Sequence, residues 1–150
     1  MQKDLVIFYV DDDPEDLDVL AEVGISMGIE VVPIDDSAQV YAKIQSLLPN
    51  VDVSTSNAAK VIFLDVNMPL KSGYDLLEEL KHSDTLHGLP VVTFSTGHDL
   101  ETIEKCWQLG ADMYIRKGSS LDGYKKMLRK VMAIDWHSYE RSEENFILTA

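Results

Sequence analysis

The chain has 150 residues, 45% of them hydrophobic, which suffices for one domain with a packed core and leaves little for a second. A formal net charge of −13 works against binding nucleic acid or an anionic membrane surface, because both are polyanions. The single cysteine, Cys106, excludes an internal disulfide, and no apolar run approaches the roughly 20 residues of a membrane span, so a cytoplasmic protein is expected.

The first apolar run, Leu5 to Val10, reads as a strand buried on both faces, and it ends in Asp11-Asp12-Asp13. Asp13 then caps a helix that has Pro14 at its first position, presents Leu17, Leu20, Gly24 and Met27 inward, and stops at Gly28. A second strand covers Glu30 to Ile34. After Asp36-Ser37 a second helix shows Val40, Ile44 and Leu47 on one side and is stopped by Pro49. The polar stretch 50–57 reads as an extended loop before the third strand, Val61 to Leu64, which closes on Asp65. A third helix runs from Ser72 or Gly73 to about His82. The fourth strand, Val91 to Ser95, ends in the hydroxyls Ser95 and Thr96. After Gly97-His98-Asp99 the fourth helix presents Leu100, Ile103 and Trp107 and is closed by Gly110. A fifth strand, Met113 to Arg116, ends at Lys117, and the fifth helix presents Leu121, Tyr124, Leu128 and Val131.

Five strand and helix pairs of this kind predict an α/β fold, a doubly wound parallel sheet with helices on both faces and every strand's carboxyl end along one edge. That edge is where such folds bind ligands. Acids end two strands there, a hydroxyl a third and a lysine a fourth. Three carboxylates crowded together repel one another unless a cation intervenes, and Mg2+ takes oxygen ligands while keeping room for phosphate oxygens. A carboxylate can itself accept a phosphoryl group, and Asp65 is the candidate because it stands apart from the other acids. Lys117 would neutralise charge and Ser95 would donate a hydrogen bond. Taken singly, each residue has a plainer reading: Asp13 as cap, Asp11 and Asp12 as loop acids, Asp65 and Asn67-Met68-Pro69 as a turn. His82, His87, His98 and His137 share no metal-ligand spacing. An EF-hand from Asp11 to Glu22 fails because Asp16 stands where glycine is needed.

Taken together and in order, Tyr9-Val10-Asp11-Asp12-Asp13-Pro14, Leu64-Asp65 through Pro69 to Gly73, Pro90 to Thr96, and Gly110 to Lys117 resemble the receiver domain of two-component response regulators, over nearly the whole chain to about Ile134. The resemblance implies the CheY-like, flavodoxin-like strand order 2-1-3-4-5. It implies that Asp65 is the phosphoacceptor, served by a histidine kinase or a histidine-phosphotransfer protein. Asp11, Asp12, Asp65 and the backbone carbonyl of Asn67 would hold Mg2+, for which Mn2+ is expected to substitute. Ser95 and Tyr114 would be the switch residues and Lys117 the catalytic lysine. A protein target would dock on the face of the fourth helix, fifth strand and fifth helix. The implied function is that of a single-domain regulator, a signalling module rather than an enzyme.

One departure from the family pattern is Gly118, where proline commonly follows the lysine, and a trans peptide is expected there. Another is the segment 135–150, read as a tail outside a receiver domain of residues 1–134, with self-association through its aromatic residues as the sharper alternative. Two readings compete with the switch. A haloacid-dehalogenase-type phosphohydrolase would want Asp-x-Asp-x-Thr/Val, which Asp11-x-Asp13-x-Glu15 misses. A degenerate receiver would bind partners without phosphorylation, although all the expected positions are filled.

Overall fold

The computed structural model describes residues 5–46, 59–66, 73–84, 86–96, 99–118 and 120–148. Its elements in chain order are β1 (Leu5–Val10), α1 (Pro14–Ser26), β2 (Glu30–Ile34), a 3-10 turn at Ser37–Gln39 leading into helical residues 40–46 (α2), β3 (Ala59–Leu64), α3 (Gly73–Lys81), β4 (Val91–Ser95), α4 (Leu100–Gln108), β5 (Met113–Arg116), α5 (Leu121–Ala133) and β6 (Ile147–Leu148). Leu47 and Pro49, the loop expected over 50–57, Asn67-Met68-Pro69, Ser72 and Gly97-His98 lie outside the described residues.

All pairings are parallel, in the order β2-β1-β3-β4-β5-β6. The expected order of the first five strands is therefore present, with one correction: a sixth strand stands beside β5. Every residue of β1 is buried, as a central strand covered on both faces requires. Its side chains alternate between two cores. Val6, Phe8 and Val10 join Ile44 of α2, Leu76, Leu77 and Leu80 of α3 and Cys106 of α4 on one face. Leu5, Ile7 and Tyr9 join Leu17, Leu20 and Val23 of α1 and Met127, Leu128 and Val131 of α5 on the other. At the sheet's edge β2 is exposed at Glu30 and Pro33, and it tolerates Pro33 because an edge strand's missing N–H costs little.

The helix starts follow their caps. The Asp13 carboxylate accepts from the Glu15 amide at 2.9 Å, Asp99 from the Thr102 amide at 3.1 Å and the Ser120 hydroxyl from the Gly123 amide at 3.0 Å. Those caps also explain two errors in the expected inward faces. Leu100 and Leu121 directly follow an N-cap, have no preceding turn to lie against, and are 81% and 59% exposed. Val23 of α1 and Met127 of α5, absent from the expected faces, are buried.

Residues 135–148 do not hang free as a tail would. Past the end of α5 the Trp136 indole donates to the Val131 carbonyl at 3.0 Å, and Trp136 is buried with its ring 5.1 Å from that of Tyr139. Phe146 is buried as well, and the Tyr114 amide donates to its carbonyl at 2.8 Å. No described helix is long and apolar enough to cross a membrane.

Candidate functional site at the carboxyl edge of the sheet

Adjacent strands place the acids together. In the β1 to β3 register Val10 stands beside Leu64, so Asp11 and Asp65, the next residues, emerge side by side. Their backbones are fixed by the ladder, since the Asp11 amide donates to Ile34 at 3.1 Å and the Asp65 amide to Val10 at 3.0 Å. Asp11 is fully buried, Asp65 is 6% exposed and Asp12 is exposed. One carboxylate oxygen from each of the three lies within 4.8 Å of the others. Gly73, at the start of α3, presses on the chain just after Asp65: a Cβ there would sit 2.3 Å from the Val66 Cα and 2.5 Å from the Asp65 carbonyl oxygen. Only glycine permits that approach.

Lys117 reaches in from the end of β5. Its amide donates to the Ser95 carbonyl at 2.7 Å, and its Nζ lies 2.7 Å from Asp11 Oδ2, 2.9 Å from Asp16 Oδ2 and 3.4 Å from Asp65 Oδ2. The side chain is 5% exposed. Among the described residues there is no cis peptide bond, so Lys117 and Gly118 are joined in trans as expected. Asp16 did not figure among the expected site residues. It stands in the first turn of α1, three residues past the cap, and only its bond to Lys117 draws it into the site.

Tyr9 is the second site residue that sequence reasoning missed. Its hydroxyl donates to Asp11 Oδ2 at 2.6 Å from inside the core. Burial by itself pushes the Asp11 carboxyl up, but hydrogen bonds from Lys117, Tyr9 and the Asp13 amide outweigh it and hold that carboxyl below its ordinary value. Burial likewise depresses the Lys117 ammonium, yet its bonds to Asp11 and Asp16 and the charge of Asp65 prevail, and its pKa is raised. The Tyr9 phenol is pushed up by burial and by the neighbouring Asp11. These directions describe a site that keeps acid ionised and lysine protonated across the whole neutral range.

Ser95 and Tyr114, the expected switch pair, are both buried and joined by a side-chain hydrogen bond. Burial raises the Tyr114 phenol, against the lowering effect of that bond. Tyr114 shares a core with Phe146 and pairs with Ile147 of β6. Cys106 is buried in helix packing and pushed up to about 11 by that burial, which removes it from thiolate chemistry.

The donor set, three hard carboxylate oxygens with an ammonium beside them, fits a divalent cation of the Mg2+ class together with an anionic oxygen ligand. A family model, the response regulator receiver domain, matches residues 7–129. The response regulator Rcp1 of Synechocystis sp. is 27% identical over 128 residues, covering 84% of this chain and 85% of that one. The Arabidopsis thaliana two-component response regulator ARR6 matches more locally, at 30% identity over 82 residues, 55% of this chain and 44% of its own length. Among solved structures, the phosphorylated cyanobacterial phytochrome response regulator RcpA superposes with a TM-score of 0.69 at 27% identity, covering 93% of this chain and 97% of that one. The Mn2+-bound form of Rcp1 has a TM-score of 0.64 at 22% identity and covers 91% and 98%, a likeness of fold. With the strand order, the paired acids and the family match all in agreement, this chain belongs to the response regulator receiver domain family.

Proposed function

We propose that this receiver accepts a phosphoryl group on Asp65 from the phosphohistidine of a histidine kinase or phosphotransfer protein, and that the acyl phosphate changes which protein partner it binds. An Asp65 carboxylate oxygen attacks phosphorus, a P–O bond forms, the P–N bond breaks, and the imidazole leaves with the bonding electrons. Mg2+ held by Asp11, Asp12 and Asp65, with the Asn67 carbonyl, would supply positive charge to the phosphoryl oxygens. The chain's own residues do the rest. Asp11 is fixed by Tyr9 and the Asp13 amide so that its oxygens face Asp65 rather than solvent. Lys117 exchanges part of its carboxylate contact for a phosphoryl oxygen, and the Ser95 hydroxyl donates to another.

The observation that carries this reading is the convergence of Asp65, the two acids and Lys117 at one rim of the sheet. The likeness to Rcp1 and RcpA, crystallised in Mn2+-bound and phosphorylated forms respectively, supports it. Family membership favours it over the phosphohydrolase, and a complete set of Asp11, Asp12, Asp65, Ser95 and Lys117 favours it over a degenerate receiver. Switching follows if phosphorylation favours the state with Ser95 and Tyr114 turned inward; carrying the population from nearly all off to nearly all on takes about 5.5 kcal/mol of bias. Incubation with acetyl phosphate and Mg2+, followed by intact-mass measurement, should add one phosphoryl group to the wild type and none to Asp65→Asn. A gain in both, or in neither, overturns the assignment.

A further inference from the structure

The face that family resemblance assigns to partner docking is occupied here by the chain's own end. β6 pairs with β5 through Tyr114 to Ile147 and Ile115 to Leu148. Phe146 is 3% exposed and meets the Trp107 ring of α4 edge-on at 5.2 Å. Arg141 lies over the same Trp107 ring, 3.7 Å from its centre, donates from Nε to the Ala111 carbonyl at 2.8 Å, and donates from Nη2 to the Trp107 carbonyl. The Tyr139 hydroxyl donates to the Asp112 carbonyl at 2.9 Å.

Apart from Phe146, which joins the core of that face, these contacts have the character of a bound peptide. The acceptors are backbone carbonyls of the last turn of α4 and of the α4 to β5 connection, the strand contributes two residues, and a single aromatic anchor and a stacked guanidinium supply the side-chain contacts, as in recognition by strand addition. A segment attached this way opens at a lower free energy than the interior strands β1, β3, β4 and β5. It is also wired to the site. The Tyr114 amide bonds the segment while the Tyr114 side chain bonds Ser95, and the Ser95 carbonyl accepts from Lys117. With Phe146 and β6 in place, the space outside β5 is filled and Tyr114 is kept inward.

We propose that residues 139–148 are a built-in ligand of the β5 edge whose docking is linked to phosphorylation of Asp65 through Tyr114. Both hold Tyr114 inward, so each strengthens the other. A protein partner that uses this face displaces the segment with an extended peptide pairing with β5, carrying an aromatic side chain for the place of Phe146 and a guanidinium for that of Arg141. The linkage rests on Asp65 being the phosphoacceptor.

Hydrogen exchange of two amides in the full chain separates the possibilities. The Tyr114 amide reports docking, and the Ile62 amide, bonded to the Pro90 carbonyl, reports the central sheet. Arg141→Ala leaves Phe146 in place and is expected to speed exchange at Tyr114 about tenfold with Ile62 unchanged. In the wild type, Mg2+ with beryllofluoride, a phosphoryl mimic, should slow exchange at Tyr114. A synthetic peptide of residues 139–148, added to the Arg141→Ala chain, should restore slow exchange there. Equal exchange at Tyr114 and Ile62 in every state, or no effect of the peptide, overturns the proposal. If acetyl phosphate adds mass at Asp65 while Tyr114 remains insensitive to beryllofluoride, the linkage alone fails; if it adds none, the phosphoacceptor reading fails first and takes the linkage with it.

Discussion

Replacing Lys117 by methionine puts the electrostatics of the rim under the most direct strain. The ammonium stands 2.7 Å from Asp11, 2.9 Å from Asp16 and 3.4 Å from Asp65, with Asp11 fully buried and the lysine itself 5% exposed. Methionine matches the apolar stem but leaves Asp11 and Asp65 side by side without a cation. Removing one partner of a buried ion pair costs about 3–5 kcal/mol, because the remaining charge stays desolvated. At about 2–4 °C per kcal/mol for a chain of this size, that is a fall in melting temperature of roughly 6–20 °C in chelator. Excess Mg2+ should recover part of the loss, and more of it than the same addition gives the wild type, since the three carboxylates remain within reach of one ion and no ammonium competes. At a hundredfold excess over its dissociation constant, a bound ion contributes about 2.7 kcal/mol. Urea titrations of both chains with and without Mg2+ measure each quantity. A variant within about 1 kcal/mol of wild type in chelator would refute the claim that Lys117 compensates buried charge.

Tyr9→Phe removes the 2.6 Å bond to Asp11 without changing the core's shape, and should cost about 1.5–3 kcal/mol, as for a hydrogen bond to a charged group; a urea midpoint equal to wild type would contradict it. Gly73→Ala drives a methyl into Val66 and the Asp65 carbonyl, so it should lower stability by about 1–3 kcal/mol and slow labelling by acetyl phosphate, whereas Gly88→Ala, with open space around it, should do neither. The site's stability should be flat over the neutral range and fail at both ends. The Asp11 carboxyl titrates lower in the folded chain, so its contribution is present above about 3.9 and lost as pH falls through the folded value; Lys117 titrates higher when folded, so its contribution is full below about 10.4 and lost as pH rises through its folded value. The urea midpoint followed against pH should have a shallower alkaline limb in Lys117→Met, with the remainder set by the buried phenols.

The strands and their acidic ends were legible because a strand buried on both faces needs an unbroken apolar run, and a run such as Leu5 to Val10 that stops at three acids marks its own boundary. Asp16 and Tyr9 were hidden for the opposite reason. Each fits a local role, an acid in the first turn of a helix and an aromatic in a strand; Asp16 gains a second one when Lys117 approaches from about a hundred residues away, and Tyr9 when its buried phenol bonds Asp11, two residues further along the chain. The sixth strand was illegible because two residues, Ile147 and Leu148, carry no period, and the contacts that seat them join Phe146 and Arg141 to Trp107 and to backbone carbonyls that leave no mark on a sequence. Leu100 and Leu121 show the limit of periodicity at a helix start, where the cap decides which residues are inside.

The most direct measurement on the central claim is chemical trapping of the phosphorylated chain. Borohydride reduces an aspartyl phosphate to homoserine, and peptide mapping then finds the residue that carried it. After treatment with acetyl phosphate and Mg2+, homoserine at position 65 alone is the expected result. Homoserine at 11 or 12, or at no position in a chain that has gained a phosphoryl group, would contradict it.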